Sequence, residues 1–341
     1  MNHHIAVVGL GLIGSAALRH LSNLGLSPLG LGPDEPKDWQ AHQGVFASHY
    51  DQGRITRVLD PDPIWALAAE RSIARYPDIA AAGGAAFHHP VGCLRATPDA
   101  ADPTDTVNAA AQVGRERQVA FTSLDGAGLR ETFPYWRFPP DATGLWEQGP
   151  AGYINPRELV QAQLAAAVKG GATVQRETVV QVERQPGGYR LHTDAGTIHQ
   201  VERVLIASGA FTNLLLERPL DLRPKAVAVL LAQVNAAERE RLRGMPSLIY
   251  RLPQHPTFYS IYALPPIPYP DGHTYLKIGS MDWETPLLHS REDFLRWFHG
   301  QGDPARVQGL RAVLLDLLPG LQVASFHSVP CVLTYTASGY P

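Results

Sequence analysis

The most restrictive feature of the chain is the segment IAVVGLGLIGSAALRHLSNLG, which begins at Ile5. A short apolar run leads into glycines at Gly9, Gly11 and Gly14, and apolar residues at helical spacing follow. This order of strand, glycine turn and helix is typical of a dinucleotide-binding unit. The first glycine permits the tight turn, the second lets the backbone approach a pyrophosphate, and the third lets the helix pack on the strand. The motif predicts a Rossmann-like unit at the N-terminus.

The segment LGLGPDEP bears on which dinucleotide this unit binds. An acidic residue about 20 positions beyond the glycines usually binds the ribose hydroxyls. Asp34 and Glu35 lie slightly past that point, and the sequence leaves open which of them serves. The segment carries no basic residue for a 2′-phosphate, and the glycine motif alone does not distinguish FAD from NAD.

Composition and charge exclude several classes of protein. Hydrophobic residues make up 45% of the 341 residues, charged residues 18%, and the formal net charge is -3, which indicates a globular chain without a nucleic-acid-binding surface. No apolar stretch reaches the roughly 20 residues that span a bilayer, and the N-terminus has no signal-sequence pattern. We therefore expect no membrane partner and a cytoplasmic location. The two cysteines, Cys93 and Cys331, are too few for a disulfide framework and wrongly spaced for zinc, so no metal site is predicted.

Charged side chains concentrate in the segment GVFASHYDQGRITRVLDPDP, which begins at Gly44. Arg54 and Arg57 would share one face if the backbone were helical there. An alternative is that both arginines brace the next helix through Asp51 or Asp60. That helix is predicted to start with Asp62 as N-cap and proline at its first position.

Further along, Asn155 and Pro156 predict the start of a helix that runs through Val168. The segments TVQRETVVQVERQ and GYRLHTDAGTIHQ read as strands, and VERVLIASGAF reads as an apolar strand that ends in a turn at Gly209. The chain thus returns to a strand and glycine pattern well after the first motif.

The segment GVFASHYDQGRITR resembles the SHHGDTRxxR segment of the FAD-dependent amine oxidases typified by monomeric sarcosine oxidase and N-methyltryptophan oxidase, within the D-amino-acid oxidase superfamily. The strand that ends at Gly209 resembles the second flavin-domain segment of this family. The segments HPTFYSIYALPPIP and HTYLKIGSMDW resemble its substrate-domain strands, and PCVLTYT resembles its covalent flavin site. The resemblance extends in order over nearly the whole chain.

The resemblance implies a substrate site. Arg57 matches the arginine that pairs with the substrate carboxylate. A guanidinium group can donate hydrogen bonds to both oxygens of a carboxylate. Lys277 matches the lysine that activates oxygen in the family. A fixed cation there stabilises the superoxide that forms when oxygen takes up the first electron. Tyr262 lies near the active-site tyrosine of the family.

The resemblance also implies a flavin site. Arg54 and His49 match residues that line the flavin face, where positive charge favours the anionic reduced ring. Ser48 and Gly209 fall in segments that contact the cofactor, and Cys331 matches the cysteine that binds the flavin covalently. FAD is therefore the expected cofactor, with attachment through Cys331 as one expected form. Alternatively, Cys331 is an ordinary buried thiol with no role in the site.

Two departures from the family pattern bear on activity. Tyr50 and Met281 stand where the family usually has histidines, so the substrate preference is expected to differ from sarcosine. The family pattern also continues beyond the linked cysteine, so we expect this chain to lack the C-terminal segment, which would weaken cofactor binding and leave an open sheet edge.

Three functions remain in view. The first is an FAD-dependent oxidase that converts the C–N bond of an amino acid or N-alkyl amino acid to an imine and reduces oxygen to hydrogen peroxide. The second is a catalytically silent member that keeps the fold and forms a homodimer. The third is an NAD-dependent dehydrogenase, which the combination of Arg54, Arg57, Lys277 and Cys331 disfavours.

The resemblance implies an α/β fold with two discontinuous domains, from the chain order of the family. Residues 1–85, 146–215 and 320–341 would form the FAD-binding domain, which has a parallel sheet with helices and a β-meander. Residues 86–145 and 216–319 would form an α+β substrate domain whose antiparallel sheet covers the flavin.

Overall fold

The computed structural model describes residues 3–102 and 105–340. Its helices are α1 (Leu12–Asn23), α2 (Pro63–Gly83), α3 (Val107–Glu116), α4 (Gly126–Thr132), α5 (Pro156–Lys169), α6 (Ala236–Arg241), α7 (Arg291–His299) and α8 (Pro304–Leu317), with a 3₁₀ helix at Gly209–Leu214. Its strands are β1 (His3–Val8), β2 (Leu29–Leu31), β3 (Arg54–Thr56), β4 (His88–His89), β5 (Cys93–Thr97), β6 (Phe121–Leu124), β7 (Thr143–Glu147), β8 (Gly152–Ile154), β9 (Thr173–Gln175), β10 (Val179–Gln185), β11 (Gly188–Thr193), β12 (Ile198–Ile206), β13 (Leu222–Gln233), β14 (Ser247–Arg251), β15 (Phe258–Pro268), β16 (Thr274–Asp282) and β17 (Ser325–Thr336).

The glycine motif lies in a six-stranded sheet with the order β10-β11-β12-β1-β2-β9. β1 pairs in parallel with β12 and β2, and β2 pairs in parallel with β9. β10, β11 and β12 pair as an antiparallel meander. Helices α1 and α5 pack on this sheet, where Leu18 and Leu164 share a core with Val7. The predicted Rossmann-like unit with a meander is confirmed.

Two helices that position the site begin as the sequence predicts. The Asp62 carboxylate accepts hydrogen bonds from the backbone N–H groups of Ile64, at 2.8 Å, and Trp65, at 3.3 Å, at the start of α2. The Asn155 side chain caps α5 in the same way. Both helices have proline in the first turn, where its missing N–H costs no hydrogen bond.

A second sheet has eight strands in the order β17-β13-β16-β15-β14-β5-β7-β6 and is antiparallel except for the parallel pair of β14 and β5. One face packs against α8, where Leu276 and Ile278 share a core with Leu310 and Leu314. Because side chains alternate along a strand, Lys277 points to the opposite face. That opposite face carries most of the candidate site.

The strand that carries Cys331 belongs to this second sheet. All 12 residues of β17 pair with β13. The expectation that residues 320–341 join the FAD-binding domain is wrong for this strand, because its backbone hydrogen bonds go to the antiparallel sheet. The remaining division into two domains stays a proposal.

A small third sheet, in the order β3-β8-β4, holds the charged segment around Arg54. Arg54 pairs with Ile154 of β8, so this stretch is extended and not helical. Among the described helices, none is both long enough and apolar enough to cross a membrane.

Candidate active site

The glycine turn has the geometry that the sequence predicts. Gly9 has a φ of +91°, and a Cβ added there would lie 2.6 Å from the carbonyl oxygen of Ala207. A Cβ on Gly14 would lie 1.7 Å from the carbonyl oxygen of Gly9. Any side chain at either position would therefore collide with backbone. Glycine at both positions permits the tight turn and the close packing of α1 on the sheet.

The N-terminus of α1 offers an anion-binding position. Gly11 is its N-cap and makes no side-chain cap, and the first turn carries no acidic residue. A Cβ on Gly11 would touch only the Nδ1 atom of His49, at 3.7 Å, so the space in front of the turn is open among the described residues. The exposed N–H groups of this turn suit the diphosphate of a dinucleotide.

The two candidate ribose acids each have an arginine partner. Both Glu35 carboxylate oxygens accept hydrogen bonds from Arg157, at 2.7 Å each. Asp34 pairs with Nε of Arg176 at 3.1 Å, and its side chain is 71% exposed. Glu35 is thus fixed by a two-point contact, whereas Asp34 is open to solvent, and the role of either one with a ribose stays a prediction.

A cavity of about 950 Å³ lies between the second sheet and the segment around Arg54. Of the residues selected from sequence, six line it: Ser48, Arg54, Arg57, Tyr262, Lys277 and Cys331. The other selected residues lie toward the glycine turn, around Gly9, or at the start of the 3₁₀ helix, at Gly209. His49 connects the two regions, because it lies beside Gly11 and directly follows Ser48.

Strand registration explains how distant parts of the chain meet in this cavity. Tyr262 on β15 pairs with Gly279 on β16, two residues beyond Lys277, so the three residues share one face. A Cβ on Gly279 would lie 2.6 Å from the Tyr262 ring. The aromatic ring therefore lies directly over the neighbouring strand, and glycine leaves room for it.

Lys277 is held by a buried carboxylate. Its ammonium group donates hydrogen bonds to the Asp51 carboxylate and, at 3.0 Å, to the carbonyl oxygen of Gly53. The Lys277 side chain is 4% exposed and the Asp51 side chain 18% exposed. Burial alone would lower the pKa of Lys277, but the charge of Asp51, then Tyr262, and the hydrogen bond to Asp51 together raise it above its ordinary value. Lys277 is therefore cationic, and its Nζ lies 5.7 Å from the centre of the Tyr262 ring.

The environment of Asp51 favours its ionised form. Burial alone would raise the pKa of its carboxyl, but Lys277 and then Arg54 lower it below its ordinary value. Tyr269 and the backbone N–H of Gln52 also donate to it, at 3.2 Å and 2.8 Å. The sequence suggested Asp51 as a partner for an arginine and missed its contact with Lys277.

Arg54 lies against Cys331. Burial alone would lower the pKa of this guanidinium, but the side chains of Cys331 and then Asp51 raise it above its ordinary value. Arg54 also donates to the backbone carbonyl of Ser48. The carbonyl oxygen of Cys331 accepts a 2.9 Å hydrogen bond from the Trp297 indole, which fixes the strand at this point.

His49 does not supply the positive charge that the resemblance implies. Burial, and then the nearby charge of Arg54, lower its pKa to about 4. The imidazole is therefore neutral near pH 7, and Arg54 carries the charge. The buried Nδ1 atom of His49 has no hydrogen-bond partner within the described part of the chain.

Arg57 both lines the cavity and forms an ion pair with Asp60. The bracing alternative is thus correct for this pair, and the two roles do not exclude each other because the Arg57 side chain keeps 25% exposure. Sequence reasoning missed Arg95, whose side chain lines the same cavity and lies 3.8 Å from Asp60. A charged residue within the apolar strand segment CLRAT was the available signal.

Comparison with known proteins identifies the family. Residues 4–340 match the family model described as DAO, FAD dependent oxidoreductase. The chain is 29% identical over 217 residues to monomeric sarcosine oxidase of Streptomyces avermitilis, which covers 63% of this chain and 53% of that protein. It is 24% identical over 218 residues to N-methyl-L-tryptophan oxidase of Yersinia pestis, covering 63% and 56%. The chain therefore spans about half the length of the curated relatives it matches.

Solved structures share the fold. NikD, described as an unusual amino acid oxidase essential for nikkomycin biosynthesis, superimposes with a TM-score of 0.77 at 18% identity, over 98% of this chain and 82% of NikD. Glycine oxidase from Geobacillus kaustophilus gives a TM-score of 0.71 at 17% identity, over 100% and 85%. These likenesses show that the glycine turn and the antiparallel sheet beside it belong to the same fold as these two structures. The chain belongs to the DAO family of FAD dependent oxidoreductases, and FAD is the cofactor of that family.

The residues near the glycine turn fit FAD. The uncapped first turn of α1 and the open space at Gly11 suit its diphosphate. Nδ1 of His49 and Nε of Arg54 are buried without a partner among the described residues, so both have hydrogen-bonding capacity for a ligand. The family assignment and these open positions agree, and the family assignment favours FAD over the NAD alternative.

Proposed function

We propose that the chain is an FAD-dependent oxidase of the C–N bond of an amino acid or N-alkyl amino acid. The observation that carries the proposal is that Arg57, Lys277 and Cys331, which are distant in the sequence, line the same cavity. The names of the relatives, which include sarcosine oxidase, N-methyl-L-tryptophan oxidase and glycine oxidase, support this substrate class.

Each cavity residue has a part in this proposal. Arg57 binds the substrate carboxylate through charge-assisted hydrogen bonds, which contribute about 1.5–3 kcal/mol. Tyr262 forms an aromatic wall, and Lys277 supplies a fixed cation for the reduction of oxygen. Bound FAD supplies a two-electron acceptor that oxygen can reoxidise. Overall, the amine loses two electrons and two protons to become an imine, and oxygen takes up both to become hydrogen peroxide.

The test is the spectrum and activity of the purified protein. A yellow protein that releases hydrogen peroxide with an amino acid or N-methyl amino acid supports the oxidase. A protein that stays colourless and inactive after FAD is added contradicts it and favours the catalytically silent alternative.

A lysine variant tests the assignment of Lys277. We expect Lys277→Met to slow reoxidation by oxygen far more than reduction by substrate, as followed by stopped-flow absorbance. Lys225→Met is the matched control, because Lys225 lies in the same sheet over the ring of Tyr335, outside the cavity lining. Equal slowing of both half-reactions by Lys277→Met would remove the lysine from this role.

Covalent attachment of FAD through Cys331 is a second part of the proposal. The position of Cys331 in the cavity wall beside Arg54 supports it. Acid precipitation decides the matter: yellow colour in the wild-type pellet and not in the Cys331→Ser pellet is the expected result. Colour that passes to the supernatant in both proteins would contradict the linkage.

A further inference from the structure

One end of the cavity carries two arginines that share one carboxylate. Arg57 pairs with Oδ2 of Asp60, and Nη2 of Arg95 lies 3.8 Å from the same oxygen atom. Both guanidinium groups line the cavity. The Nε atoms of both arginines are buried and have no hydrogen-bond partner among the described residues.

Arg95 faces the cavity because of its position in the second sheet. On β5 it pairs with Ile249 of β14, and Ile249 pairs with Tyr262 of β15. Neighbouring residues in register lie on the same face of a sheet, and all three line the cavity. Arg95 is only 8% exposed. Its other contact is weak, because Nη1 lies 3.5 Å from the hydroxyl of Thr106.

The two arginines have Asp60 as the carboxylate within 4 Å, and the charge of Asp105 also acts on Arg95. The buried Glu147 carboxyl is engaged by the backbone N–H groups of Val58 and Leu59, at 2.8 to 3.1 Å. Burial raises the pKa of Glu147, which weakens its value as a counter-ion. Burial, and then Arg57, lower the pKa of Arg95 to about 10, so it remains cationic near pH 7. Asp60 is thus the carboxylate that the two arginines share.

The arginine end lies away from Lys277. β5 and β16 are separated by β14 and β15, so three strand spacings of about 4.8 Å place them about 14 Å apart. A substrate whose α-carboxylate is held by Arg57 would place the far end of its side chain toward Arg95, because both guanidinium groups lie at Asp60. An apolar far end would leave buried guanidinium donors unpaired, whereas a carboxylate would satisfy them.

We propose that Arg95 is a specificity-determining residue that binds a second acidic group, so that the preferred substrate is an amino acid or N-alkyl amino acid with a carboxylate side chain. Arg57 holds one carboxylate and Arg95 the other, with Asp60 orienting both guanidinium groups. The choice of reaction rests on the proposed function, but the preference for a dicarboxylate does not.

Binding of unreactive acids tests the preference without catalysis. Glutarate and pentanoate have the same number of carbons and differ by one carboxylate, and their affinities for the FAD-loaded protein can be measured by calorimetry. We expect the wild type to bind glutarate at least about tenfold more tightly, from one charge-assisted contact of about 1.5 kcal/mol or more. Equal affinities would overturn the proposal, and this comparison needs no variant.

Variants then assign the preference to Arg95. We expect Arg95→Gln to abolish the preference for glutarate, and Arg95→Lys, which keeps the charge without the planar donor pair, to retain part of it. Arg296→Gln is the matched control, because Arg296 is 68% exposed on α7. If Arg95→Gln does not fold, Arg95→Lys decides the assignment. A folded Arg95 variant that keeps the full wild-type preference would overturn the assignment.

Turnover separates this inference from the proposed function. We expect kcat/KM for glutamate or N-methylglutamate to exceed that for norvaline or N-methylnorvaline, and Arg95→Gln to reverse the order mainly through KM. Oxidation of the neutral substrates with no preference for acidic ones would overturn the inference and leave the proposed function standing. Tight glutarate binding with no oxidation of any amine would contradict the proposed function and leave the inference about Arg95 standing.

Discussion

The ion pair between Lys277 and Asp51 joins two segments that are 226 residues apart, so its removal should weaken the whole fold. Removing one partner of a buried pair costs about 3–5 kcal/mol, because the other charge is left without compensation. Asp51 keeps 18% side-chain exposure, so we expect Asp51→Asn to lower the free energy of unfolding by about 3 kcal/mol, at the low end of that range. The measurement is urea denaturation followed by circular dichroism, with saturating FAD in every sample.

A double variant makes the reasoning refutable. Lys277→Met removes the buried cation and leaves Asp51 with its hydrogen bonds from Tyr269 and Gln52. Combining the two changes removes both charges, so we expect the double variant to lose less than the sum of the single losses, by about 1.5 kcal/mol or more. Strict additivity would show that the two side chains do not stabilise one another.

The pH dependence provides an independent check. The raised pKa of Lys277 means that its contribution is complete below the unfolded value of 10.5 and is lost as the pH rises through the folded value. The lowered pKa of Asp51 means that its contribution is complete above 3.8 and is lost as the pH falls through the folded value. In Asp51→Asn, burial without the counter-charge lowers the pKa of Lys277 below its unfolded value, so the stability of the variant should rise with pH up to about pH 10. A pH-independent deficit would contradict this account.

Three further changes probe separate features. Gly14→Ala should prevent close packing of α1, because the added Cβ meets the carbonyl oxygen of Gly9 at 1.7 Å, and the protein should lose FAD binding, seen as loss of flavin absorbance. Gly279→Ala should displace the Tyr262 ring and raise KM with little loss of folded protein, whereas unchanged kinetics would show that the ring does not shape the site. Asp62→Ala should cost about 1 kcal/mol of stability through loss of the N-cap of α2, and Asp62→Asn, which keeps the cap, should cost much less in the same denaturation assay.

Local signals accounted for the parts of the fold that the sequence could predict. The glycine turn and the starts of α2 and α5 depend on residues a few positions apart, and each has the predicted geometry. The family resemblance predicted the order of the distant segments and the proximity of Lys277 and Cys331, which line one cavity in the structure.

What the sequence could not predict depended on which strands pair. The chain order that the resemblance implies places residues 320–341 in the FAD-binding domain, and no local pattern distinguishes a strand beside β1 from one beside β13, so the expectation for β17 is wrong. β15 continues through the prolines of LPPIP to Pro268, because the register shift between Leu264 and Ile267 accommodates Pro265 and Pro266. The partner of Lys277 was missed for the same reason, since Asp51 reaches it only after the second sheet has formed.

If FAD is attached through Cys331, as proposed, the edge position of β17 makes this attachment depend on strand alignment. Cys331 pairs with Val227, and the next residue, Val332, packs into an apolar cluster with Phe294. A slip of one residue would exchange the faces of the two side chains and withdraw the sulfur from the cavity. Molecules with misaligned edges would then differ from native ones in flavin stoichiometry while retaining most of their secondary structure.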